Sequence, residues 1–335
     1  MGTANLKGMR MNEAEFPRRI ALIDVIRGVA LIAMAVFHGA WDVSYFKLLA
    51  FDPGESIGWT IFARLIAGTF VTVSGISLVL ATRGGFRPMP YFRRLAMVVA
   101  AAIAVSVATY ILLPEGWVFF GILHQIALAS VLALPFLRLP NLGVLVAAAF
   151  FLLLPQFFRS DIFATPALWW VGLAPLPPPS FDYVPLFPWF GCFLFGTVIA
   201  RFALAKRLDR WLAQWSPRRW PGRALGFGGR HSLIVYLVHQ PILFGFFFIL
   251  AHFVLPGTVE NTARTECRAS CMAHGFESEG CVAYCGCVYD SADTAGLKGK
   301  LIFGSLSSAE GVIVQDIVRT CSVKALAPPV SVPAP

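Results

Sequence analysis

Seven stretches of the chain are apolar for about the length that a lipid bilayer requires, and basic, polar or proline-rich segments separate them. They cover residues 20–37, 57–82, 95–113, 117–137, 142–158, 186–204 and 231–255, the fourth and fifth parted only by residues 138–141. The pattern predicts an all-α bundle of about seven transmembrane helices. A polar segment, 1–17, precedes the bundle at 18–255, and a polar tail, 256–335, follows it. The first stretch follows the basic start directly and has no small-residue cleavage site behind it, so it reads as an anchored helix.

The first stretch is interrupted in a regular way. Asp24 and Arg27 lie near its start, and His38 and Asp42 follow at its far end. At about 100° per residue Arg27 falls about −60° from Asp24, His38 about −40°, and Asp42 about 0°. One narrow stripe therefore carries every charge, and ionisable groups at membrane depth face a protein interior or a wet cavity. The remaining helices are expected to close around it.

Composition agrees with a polytopic membrane protein. Of 335 residues 57% are hydrophobic and only 13% charged, and the mean hydropathy is +0.71. The net charge of +9 does not point to nucleic acid, because the basic residues sit in short loops and form no soluble basic domain. They are instead a topology signal. Lys7, Arg10, Arg18 and Arg19 precede the first span, and Arg83, Arg87, Arg93 and Arg94 lie between the second and third. Between the sixth and seventh come Arg201, Lys206, Arg207, Arg210, Arg218, Arg219, Arg223 and Arg230, whereas Lys47 and Arg159 stand nearly alone in the alternate loops. This bias places the N-terminus in the cytoplasm and, with an odd number of spans, the tail outside, as in a multi-pass protein of a bacterial-type inner membrane. The 205–230 connector, basic and rich in tryptophan, is expected against anionic headgroups. The loop 159–188 is rich in proline and aromatics and suits an interfacial belt.

The tail holds six of the seven cysteines: Cys267, Cys271, Cys281, Cys285, Cys287 and Cys321. Two CxxxC pairs nine residues apart each present one helical face, as in an antiparallel hairpin. A nested pairing follows, Cys267 with Cys285 and Cys271 with Cys281, leaving Cys287 for Cys321, one of 15 possible connectivities. An extracytoplasmic compartment preserves such bridges. A metal site that includes His274 is the competing reading, but CxxxC lacks the usual zinc spacing, and no metal is expected. Residues 325–335 are proline-rich and read as disordered.

His38 and Asp42, one turn apart, suit a general base and its orienting carboxylate. Arg27 either pairs with Asp24 at i,i+3 or meets a substrate. Arg27 and His38 are 11 residues apart, about 16 Å along a helix, comparable with an extended pantetheine arm. An acyl-CoA entering from the basic side, with its phosphates near Arg27 and the cytoplasmic arginines, would bring its thioester to His38. Arg64, inside the second span on a face continued by Gly68 and Gly75, calls for a carboxylate or an anionic ligand. His124, in FGILHQIALAS, and Ser232, Tyr236 and His239, on one face of the last span, join the candidates for the substrate pocket. Each taken alone suits hydrogen bonding between helices. No P-loop, GxGxxG, GxSxG or HExxH motif occurs.

The pattern DxxRGxAxxxMxxxH formed by Asp24, Arg27, Gly28, Ala30, Met34 and His38 resembles the signature of the DUF1624 membrane proteins. These are related to the catalytic domain of heparan-α-glucosaminide N-acetyltransferase. VSGISL at 73–78, GILHQIALAS at 121–130, PLFPWFGCFLFG at 185–196 and GRHSLIVYLVHQP at 229–241 extend the resemblance over residues 18–255. It implies transfer of an acetyl group from acetyl-CoA to an amino or hydroxyl group of a sugar or glycan, or of a small-molecule acceptor, by a protein embedded in the bilayer. The first span is also similar to that of membrane acyltransferases that decorate bacterial surface glycans, whose catalytic His maps onto His38. The heparan enzyme's proposed histidine follows its first span, and residues 39–56 here contain none. His38 is then a general base for direct transfer or a different nucleophile. On this reading Arg27 and Arg64 bind CoA, with Asp24, His124, Tyr236 and His239 shaping the pocket. A small-anion transporter using the same stripe is the alternative, although no inverted repeat supports it. An anchor for the tail is a third.

Overall fold

The computed structural model describes residues 20–326; Lys7, Arg10, Arg18 and Arg19, and residues 327–335 of the proline-rich end, lie outside the described residues. It is all-helical, with no strand among the described residues. The helices are α1 (Ala21–Tyr45), α2 (Ile57–Thr82), α3 (Pro88–Leu112), α4 (Ile122–Leu132), α5 (Asn141–Phe157), α6 (Leu186–Ala205), α7 (Leu208–Gln214), α8 (Trp220–Arg230), α9 (Ser232–Ile249), α10 (Pro256–Ala273), α11 (Ser278–Thr294), α12 (Lys298–Ile302) and α13 (Ser308–Leu326). A π-helical turn, Leu250–Val254, prolongs α9. Among the described residues α1, α2, α3, α6 and α9 with its extension are long and apolar enough to cross a membrane. The fourth and fifth apolar stretches form the shorter α4 and α5. Helix α4 starts only after Gly121, and Pro135 and Pro140, which lack an N–H, stand between α4 and α5. The protein is a multi-pass membrane protein.

By contacts the chain forms two compact units, the first from residues up to 34 with 61–238, the second from 35–60 with 239 onward. In the first unit helices meet through small residues. A Cβ on Gly75 of α2 would strike the Phe193 carbonyl of α6, and one on Gly196 of α6 would strike the Thr72 carbonyl of α2. The same device joins α1 to α8, where Gly28 meets the Leu225 carbonyl and Gly229 the Asp24 carbonyl. Lipid supplies no hydrophobic drive for helix association, so close backbone approach and van der Waals contact hold the pair. Helices α5 and α6 add aromatic packing, with Phe151 stacked on Phe187 and edge-on to Phe190 at centroid distances of 4.6 and 4.8 Å.

In the second unit Phe46, Leu48, Ala251 and Val259 form a buried cluster flanked by Phe244, Phe247 and Phe303. Disulfides Cys267–Cys285 and Cys271–Cys281 staple α10 to α11, and Cys287–Cys321 staples α11 to α13. This is the nested pairing that the cysteine spacing predicts, and it engages every cysteine that a metal in the tail would need. Lys47 pairs with Glu266 at 2.7 Å, and Arg264 bridges Glu260 and Asp290 at 2.9 and 2.6 Å.

Candidate functional site

In the first unit a cavity of about 670 Å³ is lined by Arg27, Arg83, Arg94 and Arg230, by Ser74, Ser77 and Tyr236, and by apolar side chains of α2, α3 and α4. The helical pattern brings the arginines there. Asp24 is 2% exposed and Arg27 half-buried, whereas Val29, Ile32 and Val36 on the opposite side of α1 are exposed. Arg27 donates to Ser77, whose hydroxyl donates on to the Val73 carbonyl. Asp24 lies 3.5 Å from Arg27 and 3.9 Å from Arg230. Arg83 lies 3.6 Å from Asp209, and Arg94 has no ion pair among the described residues. Among the described residues four guanidinium groups thus line the cavity with two carboxylates beside them, a lining that suits an anionic ligand.

Of this lining, Arg27, Ser232 and Tyr236 were named from the sequence, whereas Arg83, Arg94 and Arg230 were expected only collectively, as basic residues on the cytoplasmic side, and not as individual site residues. Arg64 is exposed and does not line the cavity. It shares its face of α2 with Gly75, which is turned toward α6, whereas Ser77 lies about 140° round the helix.

Tyr236 donates at 3.1 Å to Asp182 Oδ2, which also accepts at 2.9 Å from the Ile122 N–H at the start of α4. Burial pushes the Asp182 carboxyl above its ordinary pKa, with the two donors opposing the shift. Nothing in the proline-rich loop's pattern singles out Asp182; only its neighbours do. Gly121 is required beside it, since a Cβ there would collide with the carboxylate.

His124 is spent on the same helix start. Its Nδ1 accepts from the Gly121 N–H at 3.2 Å, so the proton resides on Nε2, 3.2 Å from Ser106 Oγ. The Ser106 hydroxyl in turn donates to the Val118 carbonyl at 2.6 Å. A neutral imidazole fixed by both nitrogens caps a helix. Gln125, its neighbour, is fully buried, and neither amide atom finds a partner among the described residues.

In the second unit the His38 ring packs against that of His239 with centroids 5.2 Å apart. Asp42, 4% exposed, accepts at 3.0 Å from Gln240 Nε2. Asp42 was expected to orient His38; its observed hydrogen bond is to Gln240, the residue after His239. A carboxylate one turn along a helix points beside the ring more readily than at it, and Gln240 offers a donor. Among the described residues no cluster of three or more His, Cys, Asp or Glu is placed to hold a metal.

An arginine-lined cavity and an imidazole pair within apolar helices set the terms of the comparison with known proteins. The sequence model of the family Heparan-alpha-glucosaminide N-acetyltransferase, catalytic, matches residues 19–241. The chain belongs to this family. Its match takes in the whole of the arginine cavity and both His38 and His239, and ends before the disulfide-bonded helices. No curated protein and no solved structure shows a significant match. Family and fold together support a membrane acetyltransferase-like role.

Proposed function

We propose that the protein transfers an acetyl group from acetyl-CoA to an amino or hydroxyl group of a sugar or glycan. The observation that carries this reading is the cavity with four arginines, in a chain of an acetyltransferase family. Arg27, Arg83, Arg94 and Arg230 suit the diphosphate and ribose phosphate of CoA, which guanidinium groups bind in bidentate fashion. Tyr236, steadied by Asp182, and the serines of α2 supply neutral hydrogen bonds beside them.

His38 is the general base of this mechanism. It removes the proton of the acceptor N–H or O–H as the acceptor attacks the thioester carbonyl. The carbon–sulfur bond then breaks, CoA leaves as thiolate, and the proton taken up by His38 passes to it, restoring the neutral base. Asp42 acts through Gln240, fixing the start of the segment that holds His239 against His38. The basic side, with Arg83, Arg94 and Arg230, is the cytoplasmic side of an inner membrane, and the disulfide-bonded tail is extracytoplasmic.

The test is CoA release from acetyl-CoA by protein in nanodiscs, with glucosamine as first acceptor. His38→Ala should lower turnover by at least about 100-fold, as loss of a general base does, while acetyl-CoA still binds. Replacing Arg83 and Arg230 by Gln should raise KM with a smaller change in kcat. Full activity of His38→Ala would remove the base from the mechanism, and an absence of acetyl-CoA binding would remove the donor.

A further inference from the structure

We propose that the connector from Lys206 to Arg230 is a docking surface for anionic phospholipid, with a headgroup phosphate seated in a concavity between α7 and α8. The inference is independent of the acetyltransferase reading. It rests on three features of the first unit.

The first is charge. Arg207, Arg210, Arg218, Arg219 and Arg223 are exposed, and none has an ion pair among the described residues. Asp209, the connector's one carboxylate, is buried and committed to Arg83. The second is the arrangement of α8. Its Gly226 and Gly229 face is pressed on α1, which turns Trp220, Arg223 and Phe227 outward. Trp220 is 78% exposed and Phe227 65%, and Trp211 and Trp215 of the same segment are exposed too. Water does not reward such a face, whereas a bilayer interface takes the rings at headgroup depth and leaves the guanidinium groups among phosphates. The third is a concavity of about 510 Å³ whose lining includes Trp215, Ser216, Arg218 and Arg219. Paired guanidinium groups match a phosphate in fork geometry, and an indole beside them can lie along the glycerol.

Chain continuity selects the bilayer over a soluble polyanion. Helix α6 ends at Ala205 and α9 begins at Ser232, and both are long and apolar enough to span. A connector of this length, bearing two short helices, stays at the membrane surface.

Native mass spectrometry of the full chain, released from nanodiscs of equal phosphatidylglycerol and phosphatidylcholine, reads the retained lipid directly. The wild type should keep phosphatidylglycerol in preference. Arg218→Gln with Arg219→Gln should lower that retention by about tenfold or more. Arg319→Gln with Lys324→Gln, an equal charge loss on α13, should leave it unchanged. Arg218→Lys with Arg219→Lys keeps the charge but not the fork, and should retain an intermediate amount. Equal retention of the two lipids by the wild type would overturn the proposal, as would wild-type retention by the Gln pair. Displacement of the lipid by millimolar inorganic phosphate would also overturn it, in favour of a site for free phosphate.

Discussion

The pair α2–α6 and the hairpin α10–α11 solve the same problem, holding two helices together, by unrelated means. Gly75 and Gly196 bring the backbones of α2 and α6 into direct contact. Helices α10 and α11 are stapled by two disulfides and ringed by the ion pairs of Glu260, Arg264 and Asp290. The medium explains the difference. Between apolar helices in lipid, burial of apolar surface gains nothing, so contact area at short range is what remains. The tail is polar and its apolar core small, so covalent links take the place of burial.

Breaking the staples should give the largest effect. Serine at all six bridged cysteines should remove more than the about 2–4 kcal/mol typical of a single bridge. Hydrogen exchange should then show α10, α11 and α13 exchanging freely while α2 and α6 keep their protection. Equal loss of protection in both regions would mean that the two modes of packing are not separable. Gly75→Ala comes next. Its methyl group meets backbone rather than a movable side chain, so about 3 kcal/mol or more should be lost, read as a lower melting temperature of the solubilised protein. Here protection should fall in α2 and α6 and persist in the tail.

The smallest effect concerns a polar contact inside the glycine-packed unit. Asp182→Ala leaves the Ile122 N–H and the Tyr236 hydroxyl without their acceptor and should cost about 1–3 kcal/mol. Asp182→Asn tests the charge alone. Because the folded pKa lies above the ordinary 3.8, the folded state holds a proton that the unfolded state has released, and stability falls as pH rises through that window. The Asn variant should show a flatter stability curve from about pH 4 upward. A curve that matches the wild type would mean that Asp182 titrates normally.

Much of this architecture follows from period and spacing. The stripe of Asp24, Arg27, His38 and Asp42 was legible because a helix repeats regularly and charges in an apolar helix avoid lipid. The bridges were legible because two CxxxC pairs, each on one helical face, make the nested pairing the natural one among 15. His124 was legible as a polar group within an apolar stretch, but the pattern does not tell a pocket residue from a cap. That distinction needed the Gly121 N–H and the Ser106 hydroxyl at its two nitrogens.

The amino-acid sequence by itself determined the membrane class, the long apolar helices, the charged stripe and the cysteine hairpin, since each depends on the period of a single helix or on one short loop. Only the tertiary structure decided that Arg83, Arg94 and Arg230 join Arg27, that Asp182 reaches Tyr236 and the start of α4, and that Asp42 holds Gln240. Those meetings join residues as many as 198 positions apart. They depend on which backbones approach closely enough, and hydropathy along a chain carries no record of that.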